Sequence, residues 1–317
     1  MKIGFLSKAG VDIAEMAKIF YPKKISIFNS RASLREAAHE LDILIAQNQG
    51  FSRFTIDSSI LRCARKLRLV QHIGVAADIT DVKAAAKYGI PVATVPAQNC
   101  RSVAETAMYI MLGCAKRGRT AQRLVVEGSM AEFQCNELGG KMLCLIGLGT
   151  IGKMLVPMAR GLGMNVIAVR RDISKDGEID GIEKIYPTKD LFVALRQADY
   201  IILVLPLNEE TFHIIDEKAL SSMKSDAFLI NMSRGDHISR SALEKALADR
   251  SIAGFGTDVF WQEPNDPDDP LIQDERVFAT PHSGGKSYEA ISGGTREVYK
   301  NIQRIIDGKV PFNIISH

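Results

Sequence analysis

The chain has 317 residues, 46% of them hydrophobic and 24% charged, which fits a globular protein with core enough for two domains and excludes a disordered or fibrous one. Its 40 Lys and Arg stand against 37 Asp and Glu, with no basic block apart from acidic neighbours, so neither a nucleic acid nor a membrane surface is expected as partner. Five cysteines without a CxxC pair point to reduced thiols and to no metal centre.

In chain order, the N-terminus MKIGFLSKAG lacks the apolar core and cleavage site of a signal peptide. No apolar stretch approaches the roughly 18 residues of a membrane span, so a cytoplasmic protein is expected. Short apolar runs then alternate with helical patterns: KIGFL, DIAEMAKIF, KISIF, SLREAAHE, DILIA, DSSILRCARKL, RLVQHIG, DVKAAAKYG and VATV. Alternation of this kind predicts a parallel sheet flanked by helices. A nearly uninterrupted helical pattern from about Ser102 to about Glu127 predicts one long helix joining two domains. A second series, KMLCLIG, NVIAV, YIILVLP, AFLINMS, IAGFGTDVF and VFATP, predicts a second doubly wound sheet. The last helical segment, ending at Gly308, is expected to return to the first domain. The expected fold is therefore α/β, with two Rossmann-like parallel-sheet domains. Residues 1–100, completed by 287–317, form a discontinuous substrate domain, and 101–286 a dinucleotide-binding domain.

In KMLCLIGLGTIGKMLVPMARGLGMNVIAVRR, an apolar strand runs into Gly147, Gly149 and Gly152, followed by a helix and a second strand. The glycines allow a tight turn and close approach of the backbone to a pyrophosphate, which faces the amides and positive dipole end of the helix starting near Thr150. At the end of the second strand, where an acid ordinarily holds the ribose of NAD, stand Arg170 and Arg171. Guanidinium groups pair with a 2′-phosphate and cannot accept a hydrogen bond from a 2′-hydroxyl, so NADP is favoured over NAD. A shift of register by one or two residues would instead make Asp172 the ribose acid and NAD the cofactor, or the two arginines are simply solvated surface charge.

Three patches follow at later strand ends: INMSRGD with Arg234, GTDVFWQEP with Asp258 and Glu263, and ATPHSGG with His282. Reduction of a 2-keto acid needs a cation for the carboxylate, a proton donor for the developing alkoxide, and a group that keeps the donor charged. Arg234 suits the first role through its planar fork. His282 suits the second, and a carboxylate at Glu263 would orient its ring and favour imidazolium. Taken singly, Arg234 is better read as a salt bridge, Glu263 as a loop charge and His282 as a packed or surface ring. Their placement behind a sound dinucleotide motif favours the chemistry.

With these motifs the chain resembles the D-isomer-specific 2-hydroxyacid dehydrogenase family over nearly its whole length. The matching segments are HIGVAADITD (72–81), NCRSVAET (99–106), GLGTIG (147–152), LPLNEET (205–211), NMSRGD (231–236), TDVFWQEP (257–264) and TPHSGG (280–285). The resemblance implies a substrate contact from Arg234, an acid/base pair of Glu263 and His282, and Asp258 at the nicotinamide carboxamide. It also implies cofactor contacts from Thr150, Ile151, Leu205, Pro206, Thr211, Met232 and Ser233, substrate contacts from Val75 and Ala76, and a homodimer joined through the cofactor domain.

Departures from the family pattern shape the expected substrate. Ala76 stands where a second glycine is common in the carboxylate cradle, and Gln47 stands where phosphoglycerate dehydrogenases resembling this family carry an arginine for the phosphate. The length leaves no room for the C-terminal regulatory domain some of those enzymes carry. A glyoxylate/hydroxypyruvate reductase type is expected, ahead of phosphoglycerate dehydrogenase or a reductase of bulkier keto acids. Formate oxidation is disfavoured, since Glu263, and not the neighbouring Gln262, stands at the place of the formate enzymes' glutamine. A dinucleotide-sensing, corepressor-like binding protein is the alternative of a different class, and cofactor binding without turnover would distinguish it.

Overall fold

The computed structural model describes residues 1–6, 20, 25–47, 55–95, 97–173 and 179–315. The predicted helix DIAEMAKIF lies outside them apart from Phe20. The chain divides into two compact units, one made of Met1–Asn99 with Lys286–His317 and the other of Cys100–Gly285.

In the first unit, strands β1 (Ile3–Leu6), β2 (Ile25–Phe28), β3 (Ile43–Ala46), β4 (Leu69–His72) and β5 (Val92–Ala93) form a parallel sheet in the order β2-β1-β3-β4-β5. Strands β1, β3 and β4 are buried along their whole length, which is why they read as continuous apolar runs rather than alternating ones. The helix Tyr288–Ile306 belongs to this unit and ends at Asp307 before Gly308, whose φ of +70° no longer fits a right-handed helix. Its Asn301 is buried and donates from Nδ2 to Gln71 Oε1 at 2.8 Å and to the Phe312 carbonyl at 3.0 Å, while its Oδ1 accepts the Phe312 N–H at 2.7 Å. This amide network ties the end of the chain to β4, satisfying polar groups that burial would otherwise penalise.

His72, fully buried at the end of β4, has Nε2 2.8 Å from Thr80 Oγ1. Burial pushes its pKa down to about 4, against the opposing field of Asp78. The unfolded chain therefore takes up a proton first as the pH falls. Stability from neutral His72 is present above about 6.5 and is lost between 6.5 and about 4. The expected swing is about 3 kcal/mol. His72→Gln is expected to flatten that part of the profile in urea melts recorded at several pH values, and an unchanged slope would assign the acid sensitivity elsewhere.

In the second unit, β6 (Met142–Ile146), β7 (Asn165–Arg170), β8 (Lys184–Pro187), β9 (Tyr200–Leu203), β10 (Phe228–Asn231), β11 (Gly254–Thr257) and β12 (Val277–Ala279) form a parallel sheet in the order β12-β11-β10-β9-β6-β7-β8. The chain winds outward from β6 through β7 to β8, then returns to place β9 on the other side of β6. The crevice at the carboxyl ends of β6 and β9 is the topological switch point, where open parallel sheets bind their ligands. Strand β8, KIYP, was not among the runs legible in the sequence because only Tyr186 of its residues is buried.

The single long helix expected from Ser102 to Glu127 is two helices, Cys100–Ala115 and Gly118–Val126. Arg117 between them has φ +50°, in the left-handed region, and the Asn136 N–H donates to the Ala115 carbonyl at 2.9 Å. Phe278 of β12 sits on Gly113 and Gly118, so the chain turns around its ring. Both helices lie in the second unit, and the first packs on the helix Thr150–Gly161 and on β10, β11 and β12. Among the described residues no helix is long and apolar enough to cross a membrane, and no group of three His, Cys, Asp or Glu is placed to hold a metal ion.

Candidate active site

At the switch point, Gly147 has φ +107°, and a Cβ there would lie 2.3 Å from the Val204 carbonyl oxygen. Only glycine turns the chain so close to the end of β9. Gly149 is the N-cap of the helix Thr150–Gly161 and supplies no side-chain cap, and the helical ladder begins with Lys153 N–H to Gly149 O at 2.9 Å. The amides of Thr150, Ile151 and Gly152 thus precede the ladder, at the positive end of the helix dipole. This turn, with glycine and no side-chain cap at its N-cap, fits a dinucleotide pyrophosphate.

Arg170 is the last residue of β7, and Arg171 follows it, exposed, with its guanidinium 3.5 Å from Glu210 of the loop after β9. Asp172 is half-buried two residues beyond β7. Across the crevice, the Ser233 hydroxyl accepts the Leu205 N–H at 2.9 Å and donates to the Leu203 carbonyl at 3.0 Å, joining the ends of β9 and β10. Its side chain is thereby committed to the protein, and both Ser233 and Met232 are buried. Pro206 is exposed, and its carbonyl accepts from Thr211 Oγ1 at 2.8 Å, which closes the 206–211 turn.

Arg234, Glu263 and His282 come together at the ends of β10, β11 and β12. His282 Nδ1 lies 2.7 Å from Glu263 Oε2, and Glu263 Oε1 accepts the Phe260 N–H at 3.2 Å. Burial pushes the Glu263 carboxyl up, but the His282 hydrogen bond and charge, the Phe260 amide and the nearby Arg234 guanidinium together hold it below its ordinary value. Glu263 is therefore a carboxylate at neutral pH. His282 has φ +50°, a left-handed conformation that costs a non-glycine residue about 1 kcal/mol and that its surroundings must enforce.

Asp258 does much of that enforcing. Its buried carboxylate accepts from Thr280 Oγ1 at 2.5 Å, Ser283 N–H at 2.9 Å and Gly284 N–H at 2.8 Å, bracing the loop that carries His282 from both sides. Trp261 is packed against Phe255 and donates from Nε1 to the Ile238 carbonyl at 2.8 Å. It thereby links the Glu263 loop to the turn after Arg234. Val75 and Ala76 lie in the first unit, in the loop following β4, with Val75 half-exposed.

Sequence reasoning passed over Asn231 and His237, which hold the Arg234 backbone. Asn231 Oδ1 accepts the Ser233 N–H at 3.0 Å and Nδ2 donates to the Arg234 carbonyl at 2.7 Å. His237 Nδ1 lies 3.2 Å from the Arg234 nitrogen. A polar residue three positions from Arg234, at capping-box spacing, was the one available signal.

Comparison with known proteins shows the family. Residues 108–284 match the family described as D-isomer specific 2-hydroxyacid dehydrogenase, NAD binding domain. The chain is 37% identical over 271 residues to a glyoxylate reductase of Korarchaeum cryptofilum, covering 82% of this chain and 80% of that protein. It is 33% identical over 290 residues to a D-3-phosphoglycerate dehydrogenase of Methanocaldococcus jannaschii, covering 90% of this chain and 54% of that one. A solved structure of an acyclic imino acid reductase in complex with NADPH and D-Arg superposes with a TM-score of 0.85 at 27% identity, each chain covered in full. Sequence match and site geometry lead to one conclusion: the chain belongs to the D-isomer-specific 2-hydroxyacid dehydrogenases, oxidoreductases that bind a nicotinamide dinucleotide.

Proposed function

We propose that this protein reduces a small 2-keto acid, of the glyoxylate or hydroxypyruvate class, to the D-2-hydroxy acid with NADPH. The observation that carries the reading is the 2.7 Å His282–Glu263 pair, with Arg234 close enough to depress the Glu263 carboxyl. A bound nicotinamide supplies the hydride for the carbonyl carbon. The chain supplies the rest. Arg234 grips the substrate carboxylate and polarises the adjacent carbonyl. Glu263 holds His282 Nδ1, which leaves the Nε2 proton as the one transferred to the alkoxide oxygen. Asp258 fixes the strained His282 loop and would help hold the carboxamide of a bound nicotinamide.

The Gly147–Gly152 turn would hold the pyrophosphate, Thr150, Ile151, Leu205, Pro206, Thr211, Met232 and Ser233 would contact the cofactor, and Arg170 and Arg171 would take the 2′-phosphate. In the first unit, a substrate domain, Val75 and Ala76 contact the substrate. Gln47 lies just past β3, and the absence of an arginine there supports a substrate without phosphate. A cytoplasmic homodimer joined through the second unit completes the reading, supported by Val125, Val126 and Met130, which are 73%, 77% and 98% exposed.

Steady-state oxidation of NADPH and NADH with glyoxylate, hydroxypyruvate, pyruvate and longer 2-keto acids tests the proposal. Turnover is expected with NADPH and the small acids, whereas silence across the panel with intact cofactor binding would favour a dinucleotide sensor. In the double variant Arg170→Asp, Arg171→Ala, the kcat/KM ratio of NADPH to NADH is expected to fall by about 100-fold, the worth of two charge-assisted contacts. An unchanged ratio would place the phosphate site elsewhere and return Asp172 as the ribose acid.

A further inference from the structure

His237 is fully buried, three residues after Arg234, in the one-turn helix Gly235–His237. Its Nδ1 lies 3.2 Å from the Arg234 nitrogen and 3.1 Å from the Arg234 carbonyl oxygen. That carbonyl already accepts from Asn231 Nδ2 at 2.7 Å and from the His237 N–H at 3.2 Å, which fills its two lone pairs. Nδ1 is therefore the acceptor for the Arg234 N–H, and the ring is the neutral tautomer with its hydrogen on Nε2. Burial and the Arg234 charge favour this neutral form, against the backbone groups of Pro206 and Arg234 that face the ring and the Asp236 carboxylate.

An N3 side chain reaching back to the N-cap amide is the capping-box arrangement, ordinarily made by Glu or Gln. Here the N-cap residue is Arg234 itself. A carboxylate in this position would pair with the Arg234 guanidinium and compete with a substrate carboxylate. A neutral imidazole closes the same hydrogen bond without a charge. The turn has no slack to compensate for its loss: a Cβ on Gly235 would lie 2.6 Å from the Phe260 backbone, in the loop that leads to Glu263.

We propose that His237 is a positioning residue for substrate binding, fixing the Arg234 backbone through a neutral Nδ1 acceptor so that the guanidinium meets a carboxylate. The proposal rests on the reading of Arg234 as the partner of the substrate carboxylate.

Glutamine carries an amide oxygen that accepts the Arg234 N–H in the ordinary capping-box manner, whereas leucine and methionine carry no such acceptor. In His237→Leu and His237→Met the KM for the keto acid is expected to rise about 10-fold with kcat within about threefold and the NADPH Kd unchanged, the size of one hydrogen bond. In His237→Gln the KM is expected to stay within about threefold of the parent. In an Arg234→Gln background the His237 substitutions should add nothing further to the loss. Thermal melts accompany each variant. If His237→Leu fails to fold, the Met and Gln pair decides alone. Equal KM values in those two variants, or a KM unchanged in Met, would overturn the positioning role. Should Arg234→Gln itself leave KM and kcat unchanged, the substrate-binding reading of Arg234 fails first, a separate outcome.

Discussion

His282→Ala is expected to lower kcat for keto-acid reduction by about 10³-fold, within the range that a positioned general acid supplies, while the NADPH Kd stays within a few-fold of the parent. The reason is geometric. Glu263 Oε2 engages Nδ1 at 2.7 Å and Asp258 braces residues 280, 283 and 284, so the imidazole has one committed nitrogen and a fixed direction for the other. Alanine removes the proton donor without touching the glycine turn at Gly147–Gly152. It also removes the bond and the charge that do most to lower the Glu263 carboxyl, leaving only the Phe260 amide and the Arg234 guanidinium against burial.

The sign for Glu263 follows. A folded-state value below the unfolded one contributes stability that is present above the ordinary carboxylate range and lost as the pH falls through the folded value. The parent should therefore lose this contribution in acid, and His282→Ala should already lack the His282 share of it at neutral pH. Turnover near the parent rate in His282→Ala would end the acid assignment.

Arg234→Gln carries the second large effect. Its kcat/KM for the keto acid is expected to fall by about 10²- to 10³-fold, equivalent to about 3 to 4 kcal/mol, because a two-bond guanidinium–carboxylate contact is exchanged for a neutral amide. Arg234→Lys should recover only part of the loss, since an ammonium presents a point charge and not a planar fork. The fluorescence of NADPH itself provides a direct titration of the cofactor in both variants. A kcat/KM within threefold of the parent in Arg234→Gln would remove the residue from substrate binding.

Much of the architecture was legible because parallel strands buried on both faces leave long apolar runs. KMLCLIG and YIILVLP contain β6 and β9, and NVIAV with Arg170 is β7. The switch-point turn was legible for a related reason, since Gly147 occupies a backbone conformation other residues avoid. Less visible was β8, whose residues lie half in solvent. The break at Arg117 was hidden as well, because what redirects the helix is Phe278, more than 150 residues away in sequence.

The amino-acid sequence by itself determined the two parallel-sheet units, the dinucleotide turn and the identity of Arg234, Glu263 and His282, because each depends on local pattern: apolar runs, glycine spacing and residue chemistry at strand ends. Only the tertiary structure decided which groups brace them. Asp258 on the His282 loop, Asn231 and His237 on the Arg234 backbone, and Trp261 between the two loops act through hydrogen bonds of specific length and direction. A one-dimensional pattern carries residue type and spacing, and such bonds depend on where strand ends meet in space.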